Sequence, residues 1–231
     1  MPLLPDHVQP LDADGSFRFH CHPGVPCFTE CCRELELGLT PYDVLRLKQA
    51  LDLNSRQFFE HYGIIEFNQD DLYPKVYLGM IDDGRASCPF VGPAGCRVYP
   101  HRPAACRTYP VGRGTLLTPE GGRQEQFVMM REPHCQGFAE DQSQTISQWL
   151  NDQEIAEYNR FTDLMLTLLP RNEDHTFRRL LEDEAALFVN TLYYLEEFRT
   201  RQDMLSSIPH EEPVLLTYAI AWLKHQWHPN Q

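Results

Sequence analysis

The sequence lacks long hydrophobic runs. No apolar stretch reaches the roughly 18 residues that a membrane-spanning helix requires, and the most apolar segment, residues 214–223, is too short. The N-terminal residues lack a basic region followed by an apolar core, so the sequence does not predict a secretory signal. We therefore expect a cytoplasmic protein that makes no contact with a membrane.

Basic residues are scarce as well. The 231 residues include 20 Lys and Arg against 33 Asp and Glu, which gives a net charge of −13. A nucleic-acid surface needs a basic footprint, so the charge argues against a nucleic-acid partner. Ordinary solubility accounts for the acidic excess, and an acidic face for a basic protein partner is the second interpretation.

Motifs for common enzyme chemistry are also missing. The sequence has no glycine-rich turn between a strand and a helix that would hold a nucleotide or a methyl donor. Gly112, Gly114 and the pair Gly121–Gly122 are better interpreted as turn residues. No Ser/His/Asp pattern is visible, so the sequence assigns no catalytic residue.

Cysteine is abundant but unevenly distributed. All eight cysteines lie between residues 21 and 135, and the last 96 residues (231 − 135) have none. Disulfides are rare in a reducing compartment, and general cross-linking would not stop so sharply. The distribution instead predicts a local set of thiolate ligands for metal. The predicted ligands are Cys21, Cys27, Cys31, Cys32, Cys88, Cys96, Cys106 and Cys135.

The first four of these cysteines are closely spaced. Cys27 and Cys31 are four residues apart, so one helical turn would place them on the same face. The side chains of the adjacent residues Cys31 and Cys32 are expected to diverge, so they serve two metal centres or one of them is structural. Three histidines flank cysteines and are alternative ligands: His20, His22 and His134.

The chain between the cysteines shows clear local signals. Thr40 can cap a helix that begins at Pro41, and Asp43 is well placed to accept from free backbone N–H groups. Residues 64–81 are predicted to be extended, and glycines punctuate a hairpin whose second strand covers residues 126–131.

The C-terminal third shows helical spacing of apolar residues. We predict one helical stretch from about Ser143 to Pro170, a second long helix from Phe177, and a third that begins at Pro213. Such apolar stripes are typical of packing and not of chemistry.

These patterns predict an α+β fold that is mainly α-helical. Its cysteine-rich metal-binding core carries short strands and hairpins, and a helical C-terminal region follows. We place an irregular N-terminal arm at residues 1–16, a cysteine-cluster domain at 17–140 and the helical region at 141–231. Phe17 and Phe19 are expected to fix the end of the arm to the core.

The cysteine blocks and their neighbours resemble the YkgJ-type cysteine-cluster proteins, also called the zinc- or iron-chelating domain. The resemblance rests on Cys27-x3-Cys31-Cys32, on residues 39–44 (Leu-Thr-Pro-Tyr-Asp-Val), on Cys88-Pro89-Phe90 and on the run 96–110 with its Cys-Arg-Val-Tyr, Arg-Pro and Cys-Arg-Thr-Tyr-Pro pieces. It covers about residues 17–138, and Cys21-x5-Cys27 stands where the family has a closer pair. The resemblance implies metal chelation by the cysteines at these positions.

The metal and its use are separate questions. An Fe–S cluster, with [4Fe–4S] favoured, is preferred over zinc because vicinal cysteines differ from the regular Cys-x2-Cys pairs of zinc ribbons. Arg102, Arg107 and Tyr109 are expected to support the ligands from outside, since guanidinium groups offset thiolate charge. The centre would serve redox chemistry, sensing or metal handling.

Two other functions fit the same ligands. Family labels suggest a metal-dependent enzyme of the lysine N-methylase type. Alternatively, the metal is structural, and the helical tail binds a protein partner.

Overall fold

A computed structural model describes residues 5–13, 15–118, 122–170, 172, 176–202 and 208–227. Within these ranges the chain forms eight α-helices, whose bounds are: α1 Pro41–Leu51, α2 Ser55–His61, α3 Ala104–Thr108, α4 Ile146–Asp152, α5 Ala156–Leu166, α6 Glu182–Leu192, α7 Leu195–Gln202 and α8 Glu212–Trp227. No described helix combines the length and the apolar character needed to cross a membrane.

Nine short strands accompany the helices in the same ranges: β1 Val8–Leu11, β2 Ser16–Arg18, β3 Gly63–Glu66, β4 Lys75–Leu78, β5 Val91–Gly92, β6 Gly95–Cys96, β7 Val111–Leu117, β8 Arg123–Met130 and β9 Ser143–Thr145. All pairings are antiparallel, in one three-stranded sheet of order β1-β8-β7 and in three pairs, β2-β9, β3-β4 and β5-β6. The predicted α+β fold is confirmed.

The chain divides into two compact units, each built from two separate segments. The first unit contains residues 1–35 and 80–159, and the second contains residues 36–79 and 160–231. Every cysteine lies in the first unit.

The N-terminal residues of the first unit are not the irregular arm that the sequence predicted. β1 pairs with β8 from Val8↔Met130 to Leu11↔Phe127, and β2 pairs with β9 from Ser16↔Thr145 to Arg18↔Ser143. The partners lie more than 110 residues away, which is why local composition did not reveal them.

The core of the first unit forms where these strands end. Phe17 and Phe19 are buried beside Val111, Met129 and Ile146, as was expected for the two phenylalanines. Their edge-to-face contacts with Trp149 have ring centroids 6.2 and 5.6 Å apart. The segment that leads into His20 and Cys21 is therefore anchored to buried aromatic rings.

The second unit packs α1 and α2 with α6, α7 and α8 and with the β3-β4 pair. The start of α1 is as predicted: the Asp43 N–H donates to Thr40 Oγ1 over 3.2 Å, and the Thr40 N–H donates to Asp43 Oδ2 over 2.8 Å. Leu47, Phe58 and Leu216 are fully buried in this unit.

Two helix predictions in the C-terminal third were wrong in extent. The first stretch begins with strand β9 and breaks between α4 and α5, where Glu154 adopts a positive φ of 52°. The second helix begins at Glu182, not at Phe177, and breaks between α6 and α7. Apolar spacing alone does not register such breaks, because the residues on either side keep the same period. The predicted hairpin β7-β8 is confirmed, whereas its turn at 119–121 lies outside the described residues.

Candidate metal centre

The eight cysteines are all unbridged and occupy turns and the ends of elements. Cys88 is buried, Cys21 and Cys106 are exposed, and the other five are half-buried. Four of them interact closely enough for their charges to couple: Cys21, Cys27, Cys31 and Cys135. We call these four the first thiol set.

The thiolates of the first thiol set would repel each other, and this repulsion is seen in their pKa values. Partial desolvation and the negative charge on Cys31, Cys27 and Cys135 together raise the pKa of Cys21 to about 11. Burial also raises the pKa of Cys135, and Cys27 and Cys31 contribute in the same direction. Thiols that repel each other as thiolates form a site that is stabilised by a bound cation.

Tight turns place the first block of this set. The Glu30 N–H donates to the Cys27 carbonyl and the Cys32 N–H to the Thr29 carbonyl, each over 3.0 Å. Thr29 has a φ of 70°, in the left-handed region that a β-branched residue rarely adopts. The chain then forms a 3₁₀ turn over Glu30–Cys32. A strained residue between two predicted ligands suits a loop that is shaped for binding.

The ionisation of Cys31 depends on the adjacent residue Cys32. Interaction with the Cys32 side chain, together with burial, raises the pKa of Cys31 strongly. Both residues lie in the 3₁₀ turn Glu30–Cys32, on which neighbouring side chains lie closer together than on an extended strand.

Backbone N–H groups point at several sulfurs. The Gln136 N–H donates to Cys27 Sγ over 3.1 Å. Backbone hydrogen bonds at Gly137 lower the pKa of Cys135 against the larger effect of burial. Such donors favour thiolate over thiol and are suited to metal-bound sulfur. Sequence reasoning missed these donors, because a backbone N–H has no residue signature.

Cys88 and Cys96 form a second thiol set at the β5-β6 hairpin. The Cys88 N–H donates to the Cys32 carbonyl over 2.8 Å, which holds this set beside the first block. Burial raises the pKa of both thiols, Cys96 adds to the effect on Cys88, and Cys31 adds to the effect on Cys96. Cys31 therefore links the two sets electrostatically.

Cations lie near the second thiol set. Arg97 lowers the pKa of both Cys88 and Cys96, and Arg102 lowers that of Cys96, although burial dominates in each case. Cys106 is exposed on α3, and its charge interacts with Arg102. Arg102 thus lies within electrostatic reach of two predicted ligands.

The buried arginines act mainly on the backbone. Arg107 donates to the carbonyls of Gln153 over 2.7 Å and Arg102 over 3.2 Å, and also to the carbonyl of Pro100. Arg102 donates to the Tyr99 carbonyl over 2.7 Å and stacks on the Tyr99 ring at 3.8 Å. These contacts hold the loop between Cys96 and Cys106 in shape.

Tyr109 lies next to the first thiol set. Its ring packs edge-on against Phe19, with centroids 6.0 Å apart. Its buried hydroxyl interacts with Cys135, which lowers the pKa of Cys135, but the contact falls outside good hydrogen-bond geometry. A buried hydroxyl without a well-formed hydrogen bond is suited to donate to a metal-bound thiolate at this position.

The spacing of the sulfurs bears on the metal. In a tetrahedral zinc site with Zn–S distances of about 2.3 Å, the sulfurs lie about 3.8 Å apart. Among the described residues, no three cysteine sulfurs lie within 4.8 Å of one another. The described cysteines are therefore not gathered in threes as they would be around one tetrahedral ion.

Comparison with known proteins agrees with the cysteine pattern. A family model described as "putative zinc- or iron-chelating domain" matches residues 20–136, which include every cysteine. No curated protein and no solved structure matches the chain.

Proposed function

The chain belongs to the family of zinc- or iron-chelating domains, and on this basis we propose that it binds iron as a [4Fe–4S] cluster. Four cysteine thiolates hold such a cluster. The proposed ligands are the first thiol set, Cys21, Cys27, Cys31 and Cys135. The other four predicted ligands are proposed to hold further metal or to support the cluster: Cys32, Cys88, Cys96 and Cys106.

The proposal rests on two properties of the thiols, namely the interaction between their charges and the distances between their sulfurs. The charges of the first thiol set act on each other, yet no three cysteine sulfurs among the described residues lie within 4.8 Å. A cluster core separates its ligands more than one ion does, which supports iron–sulfur over zinc. The cluster is proposed to work in redox chemistry, sensing or metal handling in the cytoplasm, where thiols stay reduced.

The first experiment is metal and sulfide analysis of the full chain purified without oxygen. We expect about four iron atoms and about four acid-labile sulfides per chain, with visible charge-transfer absorption. A colourless protein with stoichiometric zinc and no sulfide would contradict the cluster.

Variants then test which cysteines hold it. Serine at Cys27 or Cys135 should abolish the absorption, whereas His134→Ala should preserve it although His134 is next to Cys135. Full absorption in both serine variants would show that the ligands are elsewhere in the cysteine set.

A further inference from the structure

A cluster of nitrogen and oxygen donors lies in the same unit as the cysteines. Side-chain ligand atoms of His20, His22 and Glu140 all lie within 4.8 Å of one another. His22 Nε2 is 3.2 Å from Glu140 Oε2, and the two imidazole rings have centroids 4.7 Å apart. Glu140 lies 118 residues after His22, so only the fold brings the three together.

Strand pairing creates this cluster. The pairing of β2 with β9 continues past Arg18, where the Phe19 N–H donates to the Gln142 carbonyl and the His20 N–H to the Gly137 carbonyl, each over 3.0 Å. These bonds fix the backbone on both sides of Glu140. Gln144 adds a side-chain bond to the Phe19 carbonyl over 2.9 Å. The carboxylate is therefore held opposite the histidines by a ladder of hydrogen bonds.

Alternation along the chain separates these residues from the thiols. In an extended segment, neighbouring side chains point to opposite sides and alternate ones share a side. His20 and His22 share a side and meet Glu140, whereas Cys21 between them interacts with Cys27, Cys31 and Cys135. The segment 20–22 therefore directs its two imidazoles towards Glu140 and its thiol towards the other cysteines of the first thiol set.

We propose that His20, His22 and Glu140 form a second metal site, separate from the thiolates, for a divalent cation of the Zn²⁺ type. Two imidazoles and one carboxylate are the donor set that zinc and similar ions accept with a fourth position left open. Ligands about 2.05 Å from a tetrahedral ion lie about 3.3 Å apart, close to the spacing of His22 Nε2 and Glu140 Oε2. The proposal does not depend on which metal the thiolates hold.

His22 must exchange one hydrogen bond when the ion binds. The Gly24 N–H donates to His22 Nδ1 over 3.1 Å, so a neutral ring carries its proton on Nε2 and donates it to Glu140. The ion replaces that proton, the proton moves to Nδ1, and the Gly24 bond is lost. The loss of the Gly24 bond lowers the affinity of the site for the ion.

Zinc titration of the full chain with its thiolate centre loaded tests the proposal. We expect calorimetry to detect one further Zn²⁺ per chain, and the His20 and His22 ring signals to shift in proton NMR. His22→Ala and Glu140→Gln should weaken this binding about tenfold or more, because each removes a ligand.

The chain offers a matched control. His134 Nε2 lies 3.4 Å from Glu132 Oε2, a second histidine–carboxylate pair next to a predicted ligand, and no third donor completes a cluster with them in the part of the chain that the structure describes. His134→Ala should bind the additional Zn²⁺ as wild type does. Equal binding in all variants, no additional Zn²⁺ in wild type, or loss of the thiolate-bound metal in His22→Ala would each overturn a separate site.

Discussion

The backbone N–H of Gln136 donates a hydrogen bond to Cys27 Sγ over 3.1 Å and so joins two parts of the chain that are 109 residues apart. Hydrogen bonds to cluster sulfurs stabilise the more negative, reduced state and raise the reduction potential. Gln136→Pro removes this donor from the backbone. On the proposed cluster, losing a bond of about 1 kcal/mol should lower the potential by about 40 mV for one electron.

Redox titration followed by absorption measures this shift. Gln136→Ala is the control, since its side chain is exposed and the variant keeps the N–H. An equal potential in both variants would contradict a role for the hydrogen bond.

Arg107 is expected to matter for stability more than its neighbour Arg97. Arg107 is buried and donates to three carbonyls, whereas Arg97 is exposed and donates to the carbonyl of Pro89 alone among the contacts described. Arg107→Ala should lower the free energy of unfolding by about 3 kcal/mol because it leaves buried carbonyls unpaired. Arg107→Lys should recover only part of the lost free energy of unfolding, because an ammonium group can donate to the carbonyls but cannot reproduce the guanidinium fork.

Urea unfolding of the metal-loaded protein provides the comparison. Arg97→Ala should change stability by less than about 0.5 kcal/mol. If Arg97→Ala were as destabilising as Arg107→Ala, the backbone contacts of Arg107 would not be the cause.

The pair Lys48–Glu196 predicts a pH dependence in the second unit. Lys48 Nζ is almost fully buried and lies 2.5 Å from Glu196 Oε1 and 2.8 Å from Ser55 Oγ. Burial raises the pKa of Glu196, but the bonds from Lys48 and Ser55 and the charge of Lys48 outweigh burial, so its net pKa is lowered. A lowered folded-state pKa adds stability above the unfolded value of about 4.3, and this stability is lost as pH falls through the folded value.

Unfolding measured between pH 3 and pH 7 tests this relation. Glu196→Gln should cost about 2 kcal/mol at neutral pH, less than for a fully buried pair because the carboxylate is partly exposed, and the cost should shrink as pH falls below about 4.3 towards the lowered folded-state pKa. Glu197→Gln is the control, since Glu197 pairs with the exposed Arg56. A cost for Glu196→Gln that is constant with pH would contradict the ion pair.

Metal removal should affect the two units differently. The first unit contains all eight cysteines, and the second unit has none. Thiolate-bound metal contributes directly to folding, so chelation should reduce amide protection around Cys21–Cys32 and Cys88–Cys106 and leave α1 and α8 protected. Hydrogen exchange with mass spectrometry resolves these segments, with the iron-saturated chelator as the control. Equal loss of protection in both units would contradict a local role for the metal.

The sequence predicted the parts of the fold that depend on neighbouring residues. The start of α1 could be predicted because Thr40 and Asp43 are neighbours and form a capping box without help from the rest of the chain. The strands β1 and β2 could not, because their partners β8 and β9 are distant and the short segments carry no period of their own.

The same distinction between neighbouring and distant residues applies to the candidate site. Residue type predicts the cysteines as metal ligands, but their grouping depends on pairings that bring residues 135–142 to residues 19–27. Glu140 was missed for this reason, since a single glutamate in an acidic chain carries no signal. The 3₁₀ turn that holds Cys31 and Cys32 was also missed, because only an α-helix and a strand were considered for them.

The division of the first unit into two segments sets an order for biosynthesis. Cys21 to Cys32 leave the ribosome first, and residues 36–79 of the other unit follow before any further cysteine is made. Cys135 and the strands that pair with β1 and β2 are made later, after residue 120. The early thiols are therefore without their partners while more than 100 residues are translated, and the centre can be completed only after more than half of the chain has been made. During that interval, oxidants or competing metals can react with these early thiols, which in the finished fold are held in place beside the other cysteines.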